Sequence, residues 1–118
     1  MKPPRIYTIP FAGVYPLYVS KVENKGRTQG ELDEVVCWLT GYKKSDLEDH
    51  IKRGTILERF ISSAPKMNPN RSLIAGVICG MRVENIEDPI TREIRYMDKL
   101  VDELAKGKPL DKILRKES

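Results

Sequence analysis

Residues 28–60 read TQGELDEVVCWLTGYKKSDLEDHIKRGTILERF, and the punctuation of this stretch decides the fold. Thr28-Gln29-Gly30-Glu31, Ser45-Asp46-Leu47-Glu48 and Thr55-Ile56-Leu57-Glu58 share the S/T-x-x-E form of a capping box. In that motif the hydroxyl accepts the amide three residues on and the glutamate reaches back to the cap amide, so two orphan donors at a helix start are satisfied together. Gly41 and Gly54 follow the first two boxes at helix length, where a residue free to turn left-handed ends the coil. Between them, Leu32, Val35, Val36 and Leu39 recur at i, i+3, i+4 and i+7, a stripe that faces a core. The helix opened at Thr55 is expected to stop before Pro65, because proline pushes its predecessor out of the helical region. Three short helices in succession predict an all-α chain.

Toward the N-terminus, Pro3, Pro4 and Pro10 keep the opening residues from coiling, and Arg5-Ile6-Tyr7-Thr8-Ile9 predicts an extended arm over 1–10. A helix is expected from about Val14 to Lys25, with Pro16 in its first turn and Gly26 at its end. Toward the C-terminus, a loop runs from Ala64 to Arg71. The apolar run from Leu73 to Val83 fits a buried strand or a buried helix. Gly41–Ile51 lines up with Gly80–Ile90 in its glycine, basic, Glu-Asp and isoleucine positions, which favours helix and predicts two related helix–glycine–helix units. On that reading Gly76 and Gly80 share one helical face and permit close helix contact. Asp88-Pro89 is a cap and first-turn pair for a long helix ending near Lys106. Ile90, Ile94, Met97, Leu100, Val101 and Leu104 form its buried stripe, with Lys99–Glu103 and Asp102–Lys106 paired on its exposed face. Residues 107–118 are a basic tail or a short helix opened by Pro109. The whole predicts a compact bundle of five to seven short helices in one domain, 1–118.

Composition agrees. A chain of 118 residues with a 40% hydrophobic and 32% charged share suits an ordinary globular domain that needs no staple. No apolar stretch approaches the roughly 20 residues that span a bilayer, and no signal core follows Met1. Cys37 and Cys79 lack CxxC spacing and the chain has a single histidine, His50, which argues against a zinc site and for buried, reduced thiols in a cytoplasmic protein. The net charge of +4 is uneven. Lys2, Arg5, Lys21, Lys25 and Arg27 against Glu23 leave residues 1–27 at +4, and residues 106–118 stand at +3, so the centre is at −3.

The residues also resemble an uncharacterised prokaryotic family designated domain of unknown function 2200. The similarity rests on Val14–Val19, Trp38–Tyr42, Asn68–Ile74, Gly76–Gly80, Glu87-Asp88-Pro89, Arg95-Tyr96 and Asp98–Leu104, and it spans nearly the whole chain. It implies a stand-alone small protein and supplies no catalytic residues.

Chemistry-bearing motifs are sparse. There is no G-x-x-x-x-G-K-S/T phosphate loop and no G-x-G-x-x-G, and nothing calls for a cofactor or a metal. His50 is expected on a solvated helix face. Asn68-Pro69-Asn70-Arg71 could grip an anion through its amides and guanidinium, or serve as a capped turn with Arg71 in water. Tyr15, Tyr18, Trp38 and Tyr42 could line a pocket or an interface, or complete the core with their polar tips exposed. Three functions compete. The first is a non-catalytic protein- or ligand-binding module, with a homodimer among its forms. The second is a helix-turn-helix-like nucleic-acid binder, disfavoured because a recognition helix from Ser45 would set Asp46, Glu48 and Asp49 against phosphate. The third is an enzyme or small-ligand site built from Asn68, Asn70 and Arg71 with Tyr15 or Trp38.

Overall fold

The computed structural model describes residues 4–78 and 80–115. Six α-helices follow in order: α1 (Phe11–Glu23), α2 (Gln29–Thr40), α3 (Lys44–Arg53), α4 (Leu57–Ser62), α5 (Pro89–Ala105) and α6 (Leu110–Ile113). Short 3₁₀ turns at Arg5–Thr8, Pro69–Leu73 and Val83–Asn85 link them, with a two-stranded antiparallel hairpin of β1 (Val77–Ile78) and β2 (Met81–Arg82). The molecule is an all-α bundle with that hairpin as its one sheet among the described residues.

The predicted stripes form the core. Leu32, Val35, Val36 and Leu39 of α2 are fully buried, and α5 packs Ile94, Met97, Leu100, Val101 and Leu104 beside them. Phe11 of α1 stacks on Phe60 of α4 with ring centroids 4.1 Å apart, and Tyr42 leans on Phe60 at 4.9 Å while donating its hydroxyl to the Phe60 carbonyl. Burying such rings removes the largest apolar areas the chain offers.

Tyrosine–aspartate bonds clip distant segments together. Tyr15 of α1 donates to Asp33 of α2, Tyr18 of α1 donates to Asp98 of α5, and Tyr7 donates to Asp88 at 2.5 Å. Asp88 also caps α5 by accepting the Thr91 amide at 3.0 Å, with Pro89 at the first helical position as the sequence predicts. The order of the contacts Tyr18–Asp98 and Lys21–Asp102 shows that α1 and α5 run side by side in the same direction.

Several expected details change, each for a tertiary reason. The capping box at Thr28 forms in full. The box at Ser45 does not: α3 starts earlier, because Asp46 accepts the Lys43 amide at 2.9 Å and completes the first turn itself. Thr55 is not a cap either. Its carbonyl accepts the Phe11 amide and the Leu57 amide goes to the Ile9 carbonyl, both at 2.8 Å, so Ile9 and Pro10 pair with the segment before α4 and helix begins only at Leu57. The arm is correspondingly extended only near Ile9 and Pro10, with Arg5–Thr8 coiled and residues 1–3 outside the described residues. With Pro10 as its N-cap, α1 opens at Phe11, which leaves Pro16 inside the helix rather than in its first turn.

Among the described residues Leu73–Val83 forms no helix of its own, and no second helix–glycine–helix unit follows α3. Ile74 is fully buried in the loop after the second 3₁₀ turn, and Ile78 pairs with Met81. Gly76 and Gly80 sit at φ +114° and +81°, values that forbid helix; Gly76 precedes the hairpin and Gly80 lies in its turn, so they do not share a helical face. His50 is half-buried rather than solvated: Nδ1 lies 2.9 Å from the Thr55 hydroxyl and its ring packs on Tyr42 and Phe60. Lys106 pairs with Asp102 as predicted, whereas Lys99 donates to the Val77 carbonyl and Glu103 is taken by Arg115 at 2.5 Å. Cys37 is free, half-buried against the core and pushed up in pKa by burial and then by Asp33; Cys79 lies outside the described residues.

Candidate functional site

The sequence of α1 supplies a second apolar stripe beyond the one it needs for the core. Phe11, Tyr15 and Val22 turn inward, while Val14, Leu17, Tyr18 and Lys21 recur at i, i+3, i+4 and i+7 along an adjoining face. That face forms one wall of a cleft of about 480 Å³. Ile94, Arg95 and Asp98 of α5 form the opposite wall. Arg5, Ile6 and Ile9 of the N-terminal turn, Leu57 at the head of α4 and Ile78 of β1 complete it. Its size lies within the range of small-ligand and peptide-anchor pockets, and apolar side chains make up most of its surface.

The floor is buried and the lip is not. Leu57 and Ile94 are almost fully buried, Tyr18 and Ile78 nearly so, but Leu17 is 67% exposed and Ile9 37%. Polar groups in the cleft are tied to each other: Asp98 accepts the Tyr18 hydroxyl and a bond of 2.9 Å from Arg95. Lys21 reaches Asp102 at 3.2 Å, and Lys106 shares the same carboxylate at 3.0 Å. Burial alone would raise the Asp102 pKa, but its bonds to Lys106 and Lys21 outweigh that and hold it below the ordinary value. Of the cations in the lining, Lys21 is thus paired with Asp102 and Arg95 with Asp98, and Arg5 is exposed.

Tyr18 apart, the residues singled out in the sequence lie elsewhere. Asn68, Asn70 and Arg71 do stand together, each with a partner from the fold. Asn68 accepts the Asn70 amide at 2.9 Å and caps the 3₁₀ turn that Pro69 opens. The Asn70 side chain donates to the Arg115 carbonyl at 3.0 Å, tying this loop to the segment after α6. Arg71 does not face water: its guanidinium donates to Glu93 at 2.6 Å and to the Asn68 carbonyl at 2.8 Å. Beside it lies a smaller, more polar cleft of about 340 Å³, lined by Pro69, Arg71, Ser72, Arg92, Glu93 and Tyr96. Tyr15 and Trp38 line neither cleft. The Tyr15 hydroxyl also accepts from Gln29 at 2.8 Å, and burial followed by the bond to Asp33 pushes its pKa up to about 12. Trp38 is half-buried against the core.

A run of α1 that is apolar on two adjacent faces was the available signal for the larger cleft, since one face alone suffices for a surface helix. Of the aromatic residues noted in the sequence, Tyr18 does line it. Among the described residues no group of three or more His, Cys, Asp and Glu side chains is placed to hold a metal, and no helix is long and apolar enough to cross a membrane. In the helix–turn–helix-like pair α2–α3, the second helix exposes Glu48 and Asp49.

A family model described as "Uncharacterized protein conserved in bacteria (DUF2200)" matches residues 5–115. The chain belongs to the DUF2200 family. A solved structure, titled "Crystal structure of uncharacterized protein SP1917", is similar to this DUF2200 chain at 42% sequence identity. The match covers 96% of this chain and 93% of that one, with a TM-score of 0.89. No curated protein matches the chain. Both α1 and α5, which wall the cleft, lie within the region the DUF2200 model spans.

Proposed function

We propose that this DUF2200 protein is a cytoplasmic, non-catalytic binding module whose ligand seats in the cleft between α1 and α5. The observation that carries the reading is an apolar cleft of about 480 Å³ with an exposed leucine on its lip, in a fold whose core is otherwise closed around α2 and α5. Leaving Leu17 67% exposed beside Ile9 forgoes apolar burial worth about 25 cal/mol per Å², a cost that a ligand would offset. The chemistry of the lining supports binding over turnover. Its one carboxylate, Asp98, is held by Tyr18 and Arg95, so it is not poised to take a proton from a guest. A free Cys37 is in keeping with a reducing compartment.

Anilinonaphthalene sulfonate, an apolar body with an anionic group, is a suitable first probe. The folded protein is expected to bind it saturably at one site, with fluorescence enhancement, and Leu17→Glu is expected to weaken that binding about fivefold or more while native circular dichroism is kept. Absence of saturable binding, or binding indifferent to Leu17→Glu, would overturn the reading.

A further inference from the structure

We infer that the smaller polar cleft, between the Pro69–Leu73 turn and α5, is a second binding site that takes a small molecule by a carboxylate or phosphate group. It is independent of the cleft between α1 and α5.

Four of the chain's five tyrosines engage their hydroxyls inside the protein: Tyr7 with Asp88, Tyr15 with Asp33, Tyr18 with Asp98 and Tyr42 with the Phe60 carbonyl. Tyr96 is the exception. It is only 6% exposed, yet among the described residues nothing bonds to its hydroxyl. Nor is any side-chain polar atom of the described residues both sealed from solvent and without a partner. The Tyr96 hydroxyl is therefore not sealed, and the opening that Tyr96 lines is this cleft of about 340 Å³. Phenylalanine would fill the same space with no polar group to satisfy, so the hydroxyl is placed for a guest.

The guanidiniums beside it are also only partly engaged. Arg92 lies one turn before Tyr96 on α5, at i and i+4 of one helical face. Its Nη1 donates to the Ile86 carbonyl at 3.3 Å, and no acceptor among the described residues meets its Nε or Nη2. Those two nitrogens form the edge that grips a carboxylate or phosphate side-on. Arg71 lines the same cleft, positioned by Glu93 at Nε and by the Asn68 carbonyl at Nη1, with Nη2 left over. The exposed Ser72 hydroxyl, bonded only to the Pro69 carbonyl at 3.4 Å, adds a further polar group to the lining.

The class of guest follows from these donors. Arg71 and Arg92 against Glu93 leave one positive charge in the lining, and Glu93 is held by Arg71 at 2.6 Å rather than by Arg92. An acceptor-only, negatively charged group matches the Arg92 edge, the Arg71 Nη2 and the Tyr96 hydroxyl together. A neutral apolar or cationic guest leaves them unmet. The volume suits a small molecule.

The test titrates the intact, isotope-labelled protein with acetate and, separately, with inorganic phosphate, at an ionic strength held constant with sodium chloride. NMR follows the Arg92 Nε–H signal and the amides of Ser72 and Tyr96. Saturable shifts are expected with at least one of the two anions: acetate alone assigns a carboxylate ligand, phosphate alone a phosphate, and both the oxyanion chemistry they share. Arg92→Lys keeps the charge but removes the fork, and is expected to weaken binding about fivefold or more, read from the two amides. Tyr96→Phe is expected to weaken it about threefold or more while the urea midpoint stays unchanged or rises, because its hydroxyl has no partner in the protein to lose. A lowered midpoint in Tyr96→Phe would show a structural role for the hydroxyl and overturn the inference. So would shifts that chloride produces equally, no saturable response to either anion, or binding indifferent to both variants.

Discussion

At the scale of single residues, buried carboxylates and their hydroxyl donors hold the helices in register. Asp33 is 5% exposed and accepts from Tyr15, with Lys44 farther off at 3.8 Å. Tyr15→Phe keeps the ring but strands that carboxylate, so it is expected to destabilise the fold by about 1–3 kcal/mol in urea denaturation; a cost near zero would mean that Asp33 is hydrated. His50 offers a second check, because it is the chain's one histidine and gives one imidazole signal. Burial, and then the charge of Arg53, pushes its pKa below the ordinary 6.5. The folded state thus favours the neutral ring, and its share of stability is complete above pH 6.5 and is lost as pH falls through the lower folded value. An NMR titration should place the midpoint below 6.5; a midpoint at or above it would show the ring to be solvated. Neither environment was legible in the sequence. The partners of Tyr15 and His50 depend on how α1, α3 and α4 meet, and the charged neighbours of His50 hide the rings of Tyr42 and Phe60 that cover it.

At the scale of elements, local signals in the sequence agree with the structure. The stripe and box of α2, the Asp88-Pro89 start of α5 and its apolar repeat all appear, because capping and periodicity are properties of adjacent residues. The misreadings lie where a distant segment competes for the same backbone groups. At the Thr55 box the Thr55 amide goes to the His50 carbonyl, the Thr55 carbonyl accepts from Phe11, and the Leu57 amide goes to Ile9. The run 73–83 was drawn toward helix by a similarity to 41–51, although two glycines each costing helix about 1 kcal/mol and the β-branched Val77, Ile78 and Val83 favoured the hairpin. A pair of substitutions separates a formed cap from an unformed one. Thr28→Ala should cost about 1 kcal/mol, whereas Ser45→Ala, exposed and without a cap role, should stay within about 0.5 kcal/mol. Gly41 is a sharper case. At φ +80° an added Cβ would lie 2.8 Å from the Lys66 carbonyl oxygen, whereas at Gly54, φ +67°, it would meet nothing within 4 Å. Gly41→Ala should therefore lower the melting temperature well beyond Gly54→Ala, which carries only the left-handed penalty of about 1–2 kcal/mol.

At the scale of the whole molecule, the bundle is closed at one end by its C-terminal segment and left open along α1 and α5. Ile113 of α6 is fully buried, and Arg115 grips Glu103 through both guanidinium nitrogens at 2.5 and 2.7 Å, so residues 107–115 are a packed element and not a loose tail. Ile113→Ala should accordingly cost about 2–5 kcal/mol in denaturation, where a tail would show no change. Beyond the two adjacent apolar faces of α1, the cleft is not legible in the sequence, because the rest of its wall is assembled from Arg5, Leu57, Ile78 and Asp98, residues scattered over most of the chain and joined by no motif. The residues that were legible as a cluster, Asn68, Asn70 and Arg71, adjoin one another in sequence, and the fold holds them with Arg115 and Glu93. The most direct test of the binding cleft is a map of amide shifts in the labelled protein as anilinonaphthalene sulfonate is added. The account predicts perturbations centred on Arg5–Ile9, Val14–Lys21 and Ile94–Asp98; perturbations centred on Pro69–Ser72 or on α2 and α3, or none at saturating probe, would contradict it.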